Sequence, residues 1–118
     1  MSSRVGNYLY ARRREWALTQ EELAFLFGYG SDAIVSRFEG SARKIPLRIA
    51  FACELIFGSE PKDLFPALFE QVEEGVVRRM YELYEQLNRA EPSKKTETKL
   101  RLLHDALARV TSQKPQEI

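Results

Sequence analysis

Apolar residues recur at intervals of three and four along nearly the whole chain, and no stretch alternates with the period of two that a half-buried strand requires. The pattern predicts an all-α protein. Val5, Leu9 and Trp16, with Tyr8 beside them, mark one face of a first helix over residues 3–16. A second helix starts at Thr19. Thr19 and Glu22 have the Thr-x-x-Glu spacing of a capping box, in which each side chain serves a backbone donor at the other's position. Leu18 and Leu23 flank that cap at the spacing of a hydrophobic staple, and Gly28 permits the left-handed backbone that ends the helix. Ser31 stands as the next N-cap. Ile34, Val35 and Phe38 follow at helical spacing, leaving Asp32, Ala33, Ser36 and Arg37 on the outer side, where they are available to a groove. Two short capped helices joined by a glycine turn point to DNA binding.

Residues 40–45 form a loop with two cations, and Pro46 suits the first turn of a helix over 47–57. That helix is apolar nearly all round, as a central core helix is. Gly58 ends it, Ser59 is placed to cap a short fifth helix near 61–65, and Pro66 opens the next segment. There Phe69, Val72, Val76, Met80, Leu83 and Leu87 draw one apolar stripe along a helix over 66–88, and Leu100, Leu103, Leu107 and Val110 repeat the signature in another. Glu91-Pro92-Ser93, within a turn over 88–95, lets the two pack antiparallel. The chain thus divides into a five-helix unit over 1–65 and a C-terminal helical hairpin over 66–118, with a polar, mobile tail from Thr111. A two-helix hairpin cannot easily bury both its stripes alone. It must pack on the five-helix unit or on a second copy, and a homodimer is the preferred expectation.

Several motifs of the first unit occur together: the Thr-Gln-Glu-Glu-Leu-Ala run at 19–24, Gly28, Val-Ser-Arg-Phe-Glu at 35–39, Arg-Lys-Ile-Pro at 43–46 and Asp-Leu-Phe at 63–65. In these, residues 4–65 resemble the lambda-repressor-like helix-turn-helix family, also called Cro/C1-type or XRE-type regulators. The resemblance implies a five-helix DNA-binding domain, usually a dimeric transcriptional regulator or a phage or antitoxin-type repressor. It departs from the family at Tyr29-Gly30, which lengthens the turn by about one residue. An ungapped alignment would bury Ile34 and Arg37; a buried arginine is costly, so the register with Val35 and Phe38 inside is preferred.

The resemblance also implies roles for individual residues. Gln20 matches a glutamine that binds a backbone phosphate at a helix N-terminus. Asp32, Ala33, Ser36 and Arg37 occupy positions that face bases. Arg37 is the strongest candidate, because a guanidinium pairs bidentately with guanine. Asp32 argues the other way, since phosphates repel a carboxylate, and its plain role is to sit in a first turn where the helix dipole favours acids. Arg43 and Lys44 match a loop that grips phosphate. Arg13 and Glu39 match a pair that ties the first helix to the end of the third. Arg12 and Arg14 are read equally as phosphate contacts or as solubilising charge.

Charge and composition narrow the function further. The 118 residues carry a net charge of +1, with eight Arg/Lys against seven Asp/Glu over 1–60 and ten against ten beyond, so basic charge is clustered at Arg12-Arg13-Arg14 and Arg43-Lys44 rather than global. A near-zero balance together with Asp32 and the long turn also fits a rival reading, a protein-interaction module that kept the fold and lost DNA binding. The lone Cys53 lies in an apolar stretch and reads as a buried inert thiol. The lone His104, next to Asp105, reads as a surface residue, and one Cys with one His falls short of a zinc site. With no glycine-rich phosphate loop and no nucleophile-base set, the chain is expected to be neither an enzyme nor a cofactor binder. No apolar run approaches the ~20 residues that span a bilayer and no leader pattern is present, so a soluble, cytoplasmic, nucleoid-associated protein is expected.

Overall fold

The computed structural model describes residues 7–40 and 44–113, and among them the chain is all-helical, with no strand. Seven helices follow in order: α1 (Leu9–Glu15), α2 (Gln20–Phe27), α3 (Ala33–Glu39), α4 (Leu47–Phe57), α5 (Pro61–Leu64), α6 (Pro66–Arg89) and α7 (Lys94–Gln113). They fall into two compact units, Met1–Gln71 and Val72–Ile118. The first unit runs past the expected boundary at 65 because Leu68, in the first turn of α6, packs against its core.

That core is assembled from Leu9, Leu23, Phe27, Val35, Phe38, Ile49, Cys53 and Leu64, with Ala24, Ile34 and Phe65. The inner face of α1 differs from the expected stripe. Val5 lies outside the described residues; Trp16 is the C-cap and 64% exposed, while Leu9 and Arg13, one turn apart, are the buried pair. Asn7 precedes the N-cap Tyr8: its Oδ1 accepts from the Leu9 N–H and its Nδ2 donates to the Phe38 carbonyl, both inside the protein.

α1 ends in a Schellman turn, with the Leu18 N–H on the Arg13 carbonyl and the Ala17 N–H on that of Arg14. The left-handed position falls on Ala17, at φ 59°, where glycine is the usual residue. An L side chain there costs roughly 1–2 kcal/mol, while glycine's freedom in the unfolded chain returns roughly 0.4–1 kcal/mol. Ala17→Gly is therefore expected to raise stability by about 0.5 kcal/mol, a small upward shift of the urea midpoint. A fall in that midpoint overturns this account.

α2 is capped at both ends as expected. Thr19 Oγ1 accepts from the Glu22 N–H and Glu22 Oε1 accepts from the Thr19 N–H, each at 2.9 Å. At the other end Gly28, at φ 91°, closes a second Schellman turn through the Tyr29 N–H on the Ala24 carbonyl. Arg48 adds an unforeseen cap, donating Nη1 and Nη2 to the Phe27 carbonyl and lying over the Tyr29 ring. α3 begins two residues after Ser31, whose hydroxyl still accepts from the Ala33 N–H at 3.2 Å. Ser59 does not cap α5. Its hydroxyl accepts from Arg12 Nε, and Glu60 stands at the N-cap with no side-chain cap bond.

α4 also departs from its expected central position. Ile49, Ala50 and Cys53 are buried, but Leu47, Phe51 and Leu55 are exposed. Burial pushes the Cys53 thiol up to about 12, so it stays protonated near neutral pH.

In the second unit α6 has no fully buried residue. The half-buried apolar positions are Val77, Met80, Tyr84 and Leu87, whereas Val72, Val76 and Leu83 of the expected stripe are 53%, 44% and 43% exposed. The apolar arc of α6 is wider than one helix covers, and its covered part is rotated from the expected centre. On α7 Leu103 is buried and Leu100, Leu107 and Val110 are half-buried. Ser93 caps α7 by accepting from the Thr96 N–H. Residues 111–113, expected as the start of a tail, belong to α7, which continues to Gln113 with the Thr111 hydroxyl donating to the Leu107 carbonyl; the rest of the expected tail lies outside the described residues. No described helix is long and apolar enough to cross a membrane.

Candidate nucleic-acid interface

The inward set of α3 is Ile34, Val35, Phe38 and Glu39, so the helix turns Asp32, Ala33, Ser36 and Arg37 to solvent together. This is the register expected with Val35 and Phe38 inside. Two edge-to-face ring contacts hold it: Phe38 meets Phe27 at 6.3 Å and Tyr29 at 6.1 Å between ring centres. The longer turn through Tyr29 and Gly30 therefore contributes a side chain to the packing of α3.

Behind the outer face lies a buried polar network. Arg13 donates Nε to Glu39 Oε2 at 2.5 Å and Nη2 to Glu39 Oε1 at 3.3 Å, with both side chains almost wholly buried. Its Nη1 donates to the Leu18 carbonyl, tying α1 to the entry of α2. Gln20, first in α2, donates Nε2 to Glu39 Oε1 at 3.0 Å. A carboxylate only accepts, which orients the amide and leaves the second Nε2 proton for another acceptor. Gln20 is thus half-buried and held in place before any ligand arrives. With Arg14, Thr19 and Asp32 it lines a shallow open depression at the start of α2. Asp32 stands at the N-cap of α3 with no side-chain cap bond.

The arginine run resolves into three different duties. Arg13 is the buried partner of Glu39; Arg12 bonds Ser59 and pairs with Glu15; Arg14 donates to the Tyr10 hydroxyl at 2.7 Å and lies over that ring. The Arg37 and Lys44 side chains, by contrast, are exposed and make no hydrogen bond or ion pair with another described residue. Arg43 lies outside the described residues. The structure therefore brings Gln20 and Asp32 to one depression and sets Ala33, Ser36 and Arg37 on one helix face. Asn7 and Arg48, which anchor the two helices of the motif, carry no local signal in the sequence, because their partners are 31 and 21 residues away.

No group of His, Cys, Asp and Glu among the described residues could hold a metal ion. No family model, no curated protein and no solved structure matches this chain.

Proposed function

We propose that the first unit binds double-stranded DNA as a helix-turn-helix, in the manner of the lambda-repressor-like (XRE-type) regulators, with α3 reading bases and Gln20 and Lys44 gripping the backbone. The protein then acts as a transcriptional regulator, a repressor, at the nucleoid. The observation that carries this reading is the division of α3: its large apolar residues are inside, and its outer face ends in Arg37, an exposed and uncommitted guanidinium. A homodimer is part of the proposal, since Val72, Val76 and Leu83 offer an apolar surface on the hairpin for a second copy. Recognition helices ~34 Å apart then meet half-sites on one face of the duplex.

Selection of genomic fragments by the purified protein, followed by sequencing, tests this directly. Enrichment of a short inverted repeat supports the reading. On the selected site Arg37→Ala is expected to weaken binding by about 1–3 kcal/mol and to relax one base position. Lys44→Ala should weaken all sequences alike and reduce the salt slope by about one. If Arg37→Ala, Lys44→Ala and Gln20→Ala, all folded, leave affinity and preference unchanged, the DNA reading fails. The second reading, a protein-interaction module, is favoured by Phe25, 78% exposed on α2 in a shallow patch with Glu21 and Glu22, where carboxylates repel phosphate.

A further inference from the structure

The Asp32 carboxylate has no partner that explains it. Its plain role, capping α3, falls to its neighbour: the Ser31 hydroxyl accepts from the Ala33 N–H at 3.2 Å, and the Asp32 side chain makes no cap bond. That side chain is exposed and makes no ion pair or other hydrogen bond with a described residue. It serves the fold only through the dipole of α3. Yet it lines the same open depression as Gln20, the residue proposed to grip the backbone. A carboxylate there repels every DNA backbone alike, whatever the sequence. What such a charge can return for the affinity it costs is discrimination among sequences.

We infer that Asp32 determines specificity: its carboxylate admits DNA that presents a cytosine at one step of the major groove and penalises every other base there. This rests on the DNA reading above. In that groove guanine presents two acceptors, thymine an acceptor and a methyl group, adenine an N6 donor beside the N7 acceptor, and cytosine an N4 donor alone. A carboxylate only accepts. On guanine and thymine it therefore meets oxygen, and on adenine the N7 lone pair adjoins the one donor. Cytosine alone offers a donor without a neighbouring acceptor. Asp32 and Arg37 stand about 7.5 Å apart along α3 and about 140° apart around it, so acceptor and donor approach the base pairs from opposite edges of the outer face. Between them are only the short side chains of Ala33 and Ser36, which leave the carboxylate unshielded.

Duplexes with a random core are selected on the full-length wild type, Asp32→Ala and Asp32→Asn at one salt concentration, after circular dichroism establishes that both variants fold. The wild type is expected to enrich a cytosine at one position, with a preference of roughly 5- to 150-fold over the other bases. Asp32→Ala should lose that preference and keep the rest of the motif. It should also bind random-sequence duplex about two- to fivefold more tightly, since a repelling charge is gone. Asp32→Asn should move the preference at the same position from cytosine to adenine, because an amide donates to N7 while it accepts from N6. A carboxylate that only repels gives a different result: both variants bind all sequences more tightly by one factor, with the motif unchanged, and that overturns the inference. Weaker binding of random duplex by Asp32→Ala overturns it too. A wild type that enriches no sequence at all removes the DNA reading itself, and this inference with it.

Discussion

Glu39→Ala is expected to lower the stability of the first unit by about 3–5 kcal/mol, a large part of the ~5–15 kcal/mol that holds a domain together. Glu39 is 5% exposed and accepts from Arg13 through two nitrogens and from the Gln20 amide. Alanine removes every one of those acceptors at once. The Arg13 guanidinium, 7% exposed, keeps the Leu18 carbonyl and the Tyr10 ring face but loses its counter-charge, and an unpaired buried charge is what makes the loss large. Replacing both partners, as in Arg13→Met with Glu39→Leu, should recover most of the loss, because the desolvation cost disappears with the charges. Urea unfolding of the two singles and the double decides the matter. A cost below ~1 kcal/mol for Glu39→Ala would mean that water reaches the pair as it does at the surface. Gln20 gives a second readout: without Glu39 its amide loses its tether, so any role it has on a ligand should weaken beyond what stability explains.

The second large effect is at Phe38. Phe38→Ala is expected to cost about 3–5 kcal/mol, since the ring is fully buried and its removal leaves a cavity where α2 and α3 meet. Phe27 and Tyr29 both turn ring edges or faces to it, so they lose contacts that no nearby side chain replaces. The urea midpoint should fall with little change in slope, as for a loss of packing without a change in the surface exposed. Arg37→Ala, one residue away but on the outer face, should leave that midpoint within about 0.5 kcal/mol of its original stability. A similar destabilisation by both variants would mean that α3 is not divided into an inner and an outer side.

What could be read from the sequence was governed by how far each residue's partner lies along the chain. The Thr19–Glu22 box and the Gly28 stop depend on backbone three to five residues away, and both occur as the spacing implies. The inner side of α3 was also legible, because burying Arg37 would have carried a clear electrostatic cost. Trp16 was misplaced for a different reason. Apolar spacing marks which side chains could be covered, not which are; α1 spends its inner positions on Leu9 and on Arg13, and Arg13 is buried only because Glu39 arrives from another helix. The same limit applies to α4 and α6, each with more apolar surface than its own unit covers. Ser59 had the right chemistry for a cap, but Arg12 took its hydroxyl. The pairing of Arg13 with Glu39 came from the family resemblance alone, since no periodicity connects residues 26 apart.

The burial of Cys53 makes the wild-type chain its own stopwatch. The thiol lies at the inner side of α4 among the core side chains, and its reactive thiolate form is suppressed by the same burial that raises its pKa to about 12. A thiol reagent can reach it only when the core parts, so the modification rate counts openings of the first unit under native conditions, where denaturant melts are blind. Dividing that rate by the rate of the unfolded chain converts it to the fraction of time the core stands open, residue by residue for any substitution made elsewhere in the unit.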